Sequence, residues 1–457
     1  MSAGVTVRPA GDAVDPAVWD LLGSWLPDRR WYPGGSGEVR QDPWLAVTFD
    51  GTPEVVDVLL RLEGRDLPGG AVVLQVPLVL TPPDAAGPGL VDLVTTRSGK
   101  VAVHDGGQHP RCWLALLSAM GVEGEPDTLL ARGRAISGEQ SNTSVVLPGV
   151  PSEAGTGGML KVLRTVAQGP HPDVLIPQAL TDAGWDGVPR FLGAVEIATP
   201  ASESASGEGS GAGEATAHLA VLAELVPDAQ DGFELACELA GRGESFAPLA
   251  ADLGRVLAEL HTVLRRALPE GPGLDASAFV AVLRRRAGEA VDAAPELADR
   301  ADEVRAVLDD LESRLSAEAD AAPLQTIHGD LHLGQVLHGD AGWKVLDFEG
   351  EPQRPVEERT APDLPLRDVA GILRSLGYAA AVGEAQDPAW ETEAADAFLD
   401  AYRVAAGPPA GTRAETADAV LRALVLDKAL YEVVYEVRNR PHWVGIPMAA
   451  VDRALTA

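Results

Sequence analysis

The chain changes its hydrophobic rhythm about halfway along. Early on, Trp44 to Phe49, Val55 to Leu62 and Ala71 to Leu80 are short alternating or apolar runs between Gly, Pro and Asp clusters, the pattern of antiparallel strands. A short helix over Val18 to Leu26 and a Trp31-Tyr32-Pro33-Gly34-Gly35 turn precede them, and a helix over Arg111 to Met120 follows. Ser144 to Leu147 and Met159 to Leu163 then read as strands of a hairpin joined by the loop Pro148 to Gly158, with Leu219 to Val226 a further buried strand. From about residue 245 the period becomes helical, as Leu253, Val256, Leu257, Leu260 and Leu264 recur at three- and four-residue steps. Strands first and helices afterwards predict an α+β, two-lobed molecule. Residues Ala201 to Thr216, almost only Ala, Ser, Gly, Glu and Thr, predict a flexible loop.

At 457 residues the chain exceeds what one core usually serves. The pattern divides it into an N-terminal β-rich cap (1–105), an N-lobe region (106–229) and a helical C-lobe (230–457). The 68 acidic against 36 basic residues, formally −32, repel phosphate backbones and anionic lipid, which argues against nucleic-acid and membrane-surface roles. An anionic ligand must therefore bring Mg²⁺ or meet a local basic cluster. Cys112 and Cys237 lie far apart and support neither a disulfide framework nor a zinc site. No secretory leader or long apolar span is visible, so a cytoplasmic location is expected.

The sharpest chemical signal is His328-Gly-Asp330-Leu-His332-Leu-Gly-Gln335, followed by Val345-Leu-Asp347-Phe-Glu-Gly350. Phosphoryl transfer needs a carboxylate for the attacking hydroxyl, plus a second carboxylate and a neutral oxygen for the metal that bridges the phosphates. Asp330 fits the first role, Asp347 and Gln335 the second. The constellation resembles the kinase branch that includes aminoglycoside and choline phosphotransferases, which implies a bilobal protein-kinase-like fold here with an extra N-terminal β-rich cap. By the same resemblance Lys161 contacts the α/β-phosphates of ATP. Gln140, Ser141, Asn142, Thr143 and Ser144 lie where a phosphate-covering loop belongs, and Glu224 to Val226 form the hinge that meets adenine. The strand lysine of such kinases pairs with a glutamate; Leu175 stands at that place, and Asp173 is the candidate partner.

Several stretches are similar to actinobacterial maltokinases: Gly138 to Val146, His328 to Leu337, Val345 to Pro352, Leu366 to Ser375 and Asp427 to Pro441. The resemblance implies ATP- and Mg²⁺-dependent conversion of maltose to maltose 1-phosphate, which feeds glycogen and α-glucan synthesis from trehalose, with trehalose synthase as partner. At about 100° per residue, Leu430, Val433, Val434 and Val437 gather on one face of the last long helix, and Tyr431, Glu432, Tyr435, Glu436, Arg438 and Asn439 on the other. With Trp443 just beyond, aromatic surface and carboxylates suit a sugar, and the acceptor set adds His332 and Arg367. The alternatives are a kinase for another sugar, aminosugar or aminoglycoside, and a non-catalytic kinase-fold partner of trehalose synthase.

Overall fold

The structure, a computed structural model, describes residues 2–34, 37–85, 87–136, 141–201, 214–319, 321–351, 359–408 and 411–456. The chain forms two compact units, one from Met1–Gln178 and Pro189–Pro227, the other from Ala179–Val188, Asp228–Pro352 and Glu357–Ala457. No helix among the described residues is long and apolar enough to cross a membrane.

The first unit is built from β1 (Val5–Pro9), α1 (Pro16–Trp25), β2 (Arg40–Phe49), β3 (Val55–Glu63), β4 (Ala71–Thr81), β5 (Leu90–Thr96), β6 (Gly99–Asp105), α2 (Pro110–Ala119) and α3 (Pro126–Leu129). It continues with β7 (Arg134–Ala135), β8 (Asn142–Leu147), β9 (Gly158–Leu163), β10 (Thr165–Val166), the start of α4 (Pro172–Asp182), β11 (Phe191–Pro200) and β12 (Glu214–Glu224). One antiparallel sheet runs β1-β2-β3-β4-β6-β5, with β10 also on β4; a second runs β11-β12-β9-β8-β7.

The period of two along β3 explains the layering. Val56, Val58, Leu60 and Leu62 meet Val18, Leu22 and Leu26 of the α1 segment. Val55 and Leu59 face the other way, into a core with Trp113, Leu116 and Leu117 of α2 and Val145, Leu160, Val162 and Leu219 of the second sheet. Burial on both faces is why β3 reads as a nearly unbroken apolar run. Asp15 starts α1 by accepting the Ala17 N–H, with Pro16 at the first helical position.

The second unit contains β13 (Gln230–Asp231), α5 (Gly232–Arg242), α6 (Ala247–Ala267), α7 (Ala276–Ala293), α8 (Ala301–Ser316), β14 (Val336–Gly339) and β15 (Gly342–Val345). Helices α9 (Leu366–Val382), α10 (Trp390–Ala406), α11 (Ala414–Asn439) and α12 (Gly445–Thr456) complete it. The strands form a small antiparallel sheet, β13-β14-β15. Asp231 caps α5 through the Phe233 and Glu234 N–H groups, and Gly243 ends it in the left-handed conformation. The predicted stripe of α6 is buried at Leu253, Leu257, Leu260 and Leu264.

The predicted helix, hairpin and first strands stand within a few residues of their expected limits. The mixed fold, sheet-rich first and helical afterwards, is the expected α+β class. Strands β1, β5, β6, β7, β10 and β11 of the first unit and β13, β14 and β15 of the second are additional. The flexible loop assigned to Ala201 to Thr216 needs correction at its end, because Glu214, Ala215 and Thr216 pair with Pro200, Thr199 and Ala198 in β12. Residues 202–213 of that loop, and Gly35 of the early turn, lie outside the described residues.

Candidate active site

The loop carrying His328 and Asp330 is held from beneath by one carboxylate. Asp368, fully buried in the first turn of α9, accepts the His328 N–H and His261 Nε2–H at Oδ2 (2.9 and 3.0 Å) and the Gly329 N–H at Oδ1 (2.9 Å). Burial pulls its pKa up, but the donors from His261 and the loop backbone prevail and hold the carboxyl below its ordinary value. His261 is fixed in turn by the Tyr402 hydroxyl, 3.0 Å from Nδ1. His328 Nε2 donates to the Leu346 carbonyl at 2.7 Å, which leaves Nδ1 to accept the Asp330 N–H at 3.3 Å. The imidazole thereby links the Asp330 loop to the chain entering Asp347. Gly371 lets α9 lie against the loop, since a Cβ there would sit 2.1 Å from the Leu331 carbonyl oxygen.

Asp330 faces Lys428 of α11, with Oδ1 and Nζ 3.4 Å apart. The turn Leu333–Gln335 is capped by His332, whose Nδ1 accepts the Gly334 N–H. Burial lowers the His332 pKa, outweighing the pull of Asp330, which keeps the ring neutral at pH 7. Gln335 and Asp347 are brought together, Nε2 donating to Oδ2 at 3.3 Å. A turn of the Gln335 amide about its last torsion would bring Oε1 to the side of Asp347 Oδ2, and an amide oxygen beside a carboxylate is a hard oxygen donor set that fits Mg²⁺. Asp347 holds this place with a φ of 59°, a left-handed conformation uncommon outside glycine and most accessible to Asn and Asp. Phe348 behind it is buried, 5.0 Å between ring centroids from His328.

In the first unit, Lys161 lies on β9 between β8 and β12, opposite Ser144 and Val221. Its ammonium meets Asp173 Oδ2 at 2.5 Å, so the candidate partner from the sequence is its partner in the structure, while Leu175 is exposed. Ser141 is exposed; Asn142, Thr143 and Ser144 are buried in β8. Two side chains of the expected phosphate-covering loop have protein partners: Asn142 Oδ1 accepts the Arg164 N–H and Thr143 Oγ1 accepts from Arg164 Nε. Gln140 lies outside the described residues. Glu224 ends β12 with Oε1 on the Ala154 N–H, and half-buried Val226 follows.

The single polar face expected for the last long helix does not form. Glu436 is 1% exposed and accepts from the Tyr378 hydroxyl (3.0 Å) and from Arg440 Nε and Nη2 (2.9 and 2.6 Å). Glu432 accepts from Arg374 Nε at 2.9 Å; burial nonetheless raises its pKa against the pull of that guanidinium. These ion pairs offset the desolvation that would otherwise keep both carboxylates outside. Tyr431, Tyr435 and Arg438 remain exposed. Half-buried Trp443 lies under Arg440, 4.4 Å from guanidinium to ring centroid, with Tyr435 at 5.4 Å from the same group. Arg367 pairs with Asp363 at 2.5 Å and lies 3.9 Å from Asp427.

Sequence reasoning passed over Asp368, His261, Lys428, Arg374 and Arg164. Asp368 carried a signal, a carboxylate immediately before the apolar run Val369-Ala-Gly-Ile-Leu373; the others acquire meaning only from distant partners.

The phosphotransferase enzyme family matches residues 241–415. Glucosamine kinase of Mycolicibacterium smegmatis (strain ATCC 700084 / mc(2)155) is 32% identical over 348 residues, 71% of this chain and 80% of that protein. Glucosamine kinase of Streptacidiphilus jiangxiensis is 29% identical over 337 residues, 69% and 71% of the two chains. A solved glucosamine kinase in complex with glucosamine, ADP and inorganic phosphate superposes with a TM-score of 0.61 at 23% identity, over 96% of this chain and 99% of that one. The chain belongs to the phosphotransferase enzyme family, with its protein-kinase-like fold. It is accordingly an enzyme that transfers phosphate to an alcohol group.

Proposed function

We propose that the protein is a sugar kinase that transfers the γ-phosphate of ATP to a hydroxyl of an aminosugar of the glucosamine type. Asp330 accepts the hydroxyl proton as the sugar oxygen forms its bond to the γ-phosphorus, and the bond to the β-γ bridging oxygen breaks with its electron pair leaving on ADP. His328 Nδ1 holds the Asp330 N–H, Asp368 holds the His328 and Gly329 N–H groups that precede it, and Lys428 stands beside the Asp330 carboxylate. Gln335 and Asp347 would hold Mg²⁺, which when bound supplies neutralisation of phosphate charge. Lys161, oriented by Asp173, neutralises the α/β-phosphates, and Glu224 to Val226 meet the adenine. Exposed Tyr431, Tyr435 and Arg438, with Trp443 beside them, offer aromatic and polar surface to the acceptor; Glu432 and Glu436 act by fixing Arg374 and Arg440.

The observation that carries the phosphotransfer reading is the grip of Asp368 on the His328 and Gly329 N–H groups beside the paired Gln335 and Asp347. The acceptor rests on the relatives that are glucosamine kinases and on an acidic chain that favours a cationic amine. The maltose reading, with its place in α-glucan synthesis and its trehalose synthase partner, rests on motif resemblance alone. ATP consumption with glucosamine, maltose and an aminoglycoside, with phosphorus NMR of the product, tests the proposal. A charged hydrogen bond to the amine contributes about 1.5–3 kcal/mol, so kcat/KM for glucosamine should exceed that for maltose by roughly 10- to 150-fold. Preference for maltose would overturn the acceptor, and absence of turnover with every sugar would overturn the kinase reading.

A further inference from the structure

Arg164 stands where the chain passes from one sheet of the first unit to the other. Its predecessor Leu163 ends β9, paired with β8, and its successors Thr165 and Val166 pair with β4 in the seven-stranded sheet. The Arg164 carbonyl accepts the Gln75 N–H at 2.8 Å. Its side chain is 0% exposed. Nη2 donates to both oxygens of Asp105 (2.9 and 3.1 Å), Nε donates to Thr143 Oγ1 (3.0 Å), and the guanidinium carbon lies 4.1 Å from the Trp31 ring centroid. The backbone N–H goes to Asn142 Oδ1 at 3.2 Å. Space is kept for it: a Cβ on Gly107 would sit 2.4 Å from Nη2.

Burying a guanidinium is expensive, and apolar residues of similar volume often serve stability as well or better. What the arginine adds is geometry. With Nη2 anchored on Asp105 and its flat face against Trp31, the guanidinium aims Nε at Thr143, while Nη1 is buried without a hydrogen-bond partner among the described residues. The ladder it grips pairs Asn142 with Leu163, Thr143 with Val162 and Ser144 with Lys161. Locking Asn142 and Thr143 to Arg164 therefore also sets the position of Lys161 opposite Ser144.

We infer that Arg164 is a positioning residue for the nucleotide: through it, Asp105 at the end of β6 and Trp31 in the turn before β2 set the register of the strands that carry Asn142 to Ser144 and Lys161. The inference rests on the reading of those strands as the ATP-binding elements. The N-terminal sheet thereby gains a role in catalysis that its own residues, remote from any chemistry-bearing motif, do not announce.

The test is steady-state kinetics with ATP and acceptor varied separately, alongside urea unfolding, on Arg164→Met, Arg164→Lys, Thr143→Val and the Arg164→Met/Thr143→Val double variant. Arg164→Met should raise the ATP KM about tenfold and leave the acceptor KM within about twofold. Arg164→Lys, which keeps the charge on Asp105 but loses the fork, should fall between. Thr143→Val, which leaves the buried Arg164 Nε–H without its acceptor, should raise the ATP KM and shift the urea midpoint downward together while the acceptor KM stays within about twofold of wild type, and the double variant should be no worse than Arg164→Met. Reduced stability with both KM values unchanged would make Arg164 merely structural and overturn the inference. A wild-type ATP KM in Thr143→Val would overturn it too, and decides the matter where Arg164→Met does not fold. Lys161→Met is the control: a rise in its ATP KM without one in the Arg164 and Thr143 variants removes this inference alone. No rise in Lys161→Met removes the nucleotide reading, and the Arg164 inference with it.

Discussion

Replacing Asp368 by Asn changes one atom of a carboxylate that accepts three hydrogen bonds. The favoured orientation keeps an oxygen where Oδ2 receives the His328 N–H and His261 Nε2–H, and turns the new NH₂ toward the Gly329 N–H. The two retained bonds fall from charged to neutral strength, a loss of about 1 kcal/mol each, and the half-buried Gly329 N–H left facing another donor costs about 1–3 kcal/mol more. The sum is about 3–5 kcal/mol, enough to shift the alignment of the Asp330 loop by more than about 100-fold. Urea unfolding followed by tryptophan fluorescence should register the lost stability, and kcat at saturating substrates should fall at least about tenfold. The pH dependence adds a check of sign. A carboxyl held below its ordinary value stabilises the protein above that value, near 3.9, and the stabilisation is lost as pH falls further through the lowered native value. The gap between wild type and variant should therefore be full at neutral pH and narrow below about pH 4. Unfolding free energies within about 0.5 kcal/mol of each other at pH 7, with equal kcat, would refute the reasoning.

Gln335→Ala and Asp347→Asn should each raise the Mg²⁺ concentration at half-maximal velocity, with excess metal partly rescuing Gln335→Ala; an unchanged Mg²⁺ dependence in both would place the metal elsewhere. Glu436→Gln should cost about 1.5–3 kcal/mol in urea unfolding, because Arg440 and the Tyr378 hydroxyl lose a buried charged partner; a solvated glutamate would show less than about 0.5 kcal/mol. Burial pushes the Asp57 carboxyl up to about 8, against the pull of Arg164 and the Gln75 hydrogen bond. It stays protonated in the folded chain at pH 7 while the unfolded chain ionises near pH 4, so stability contributed by this group falls as pH rises between about 4 and 8. Asp57→Asn should gain on wild type by an amount on the order of 1–3 kcal/mol between pH 5 and pH 7.5, and parallel pH profiles would contradict the assignment.

What could be read in the sequence was what its local pattern encodes. Strands β2, β3 and β4 and helix α6 declare themselves because one or both faces are buried, so apolar residues recur at the element's own period. Strand β5 did not, since its burial alternates weakly along a mostly exposed edge, and β12 begins inside a tract of small polar residues whose pairing with β11 no local rule signals. The spacing from Asp330 to Gln335 and on to Asp347 pointed to the phosphotransferase class from local sequence alone. The supporting residues were hidden because their function depends on contacts across the chain, Asp368 with His261 across 107 residues and Arg164 with Asp105 across 59. The polar face of α11 failed for the same reason: helical periodicity placed Glu432 and Glu436 correctly on the cylinder, but Arg374 and Tyr378, 58 residues away, draw them inside.

In the proposed mechanism Asp330 handles the acceptor proton while the rest of the site binds and orients. Single-turnover phosphate transfer by Asp330→Asn, with ADP affinity and the unfolding curve measured on the same preparation, addresses it most directly. The account predicts a transfer rate lower by about 10²–10⁴, with ADP affinity and stability close to wild type. A variant that transfers phosphate at near the wild-type rate would contradict the account.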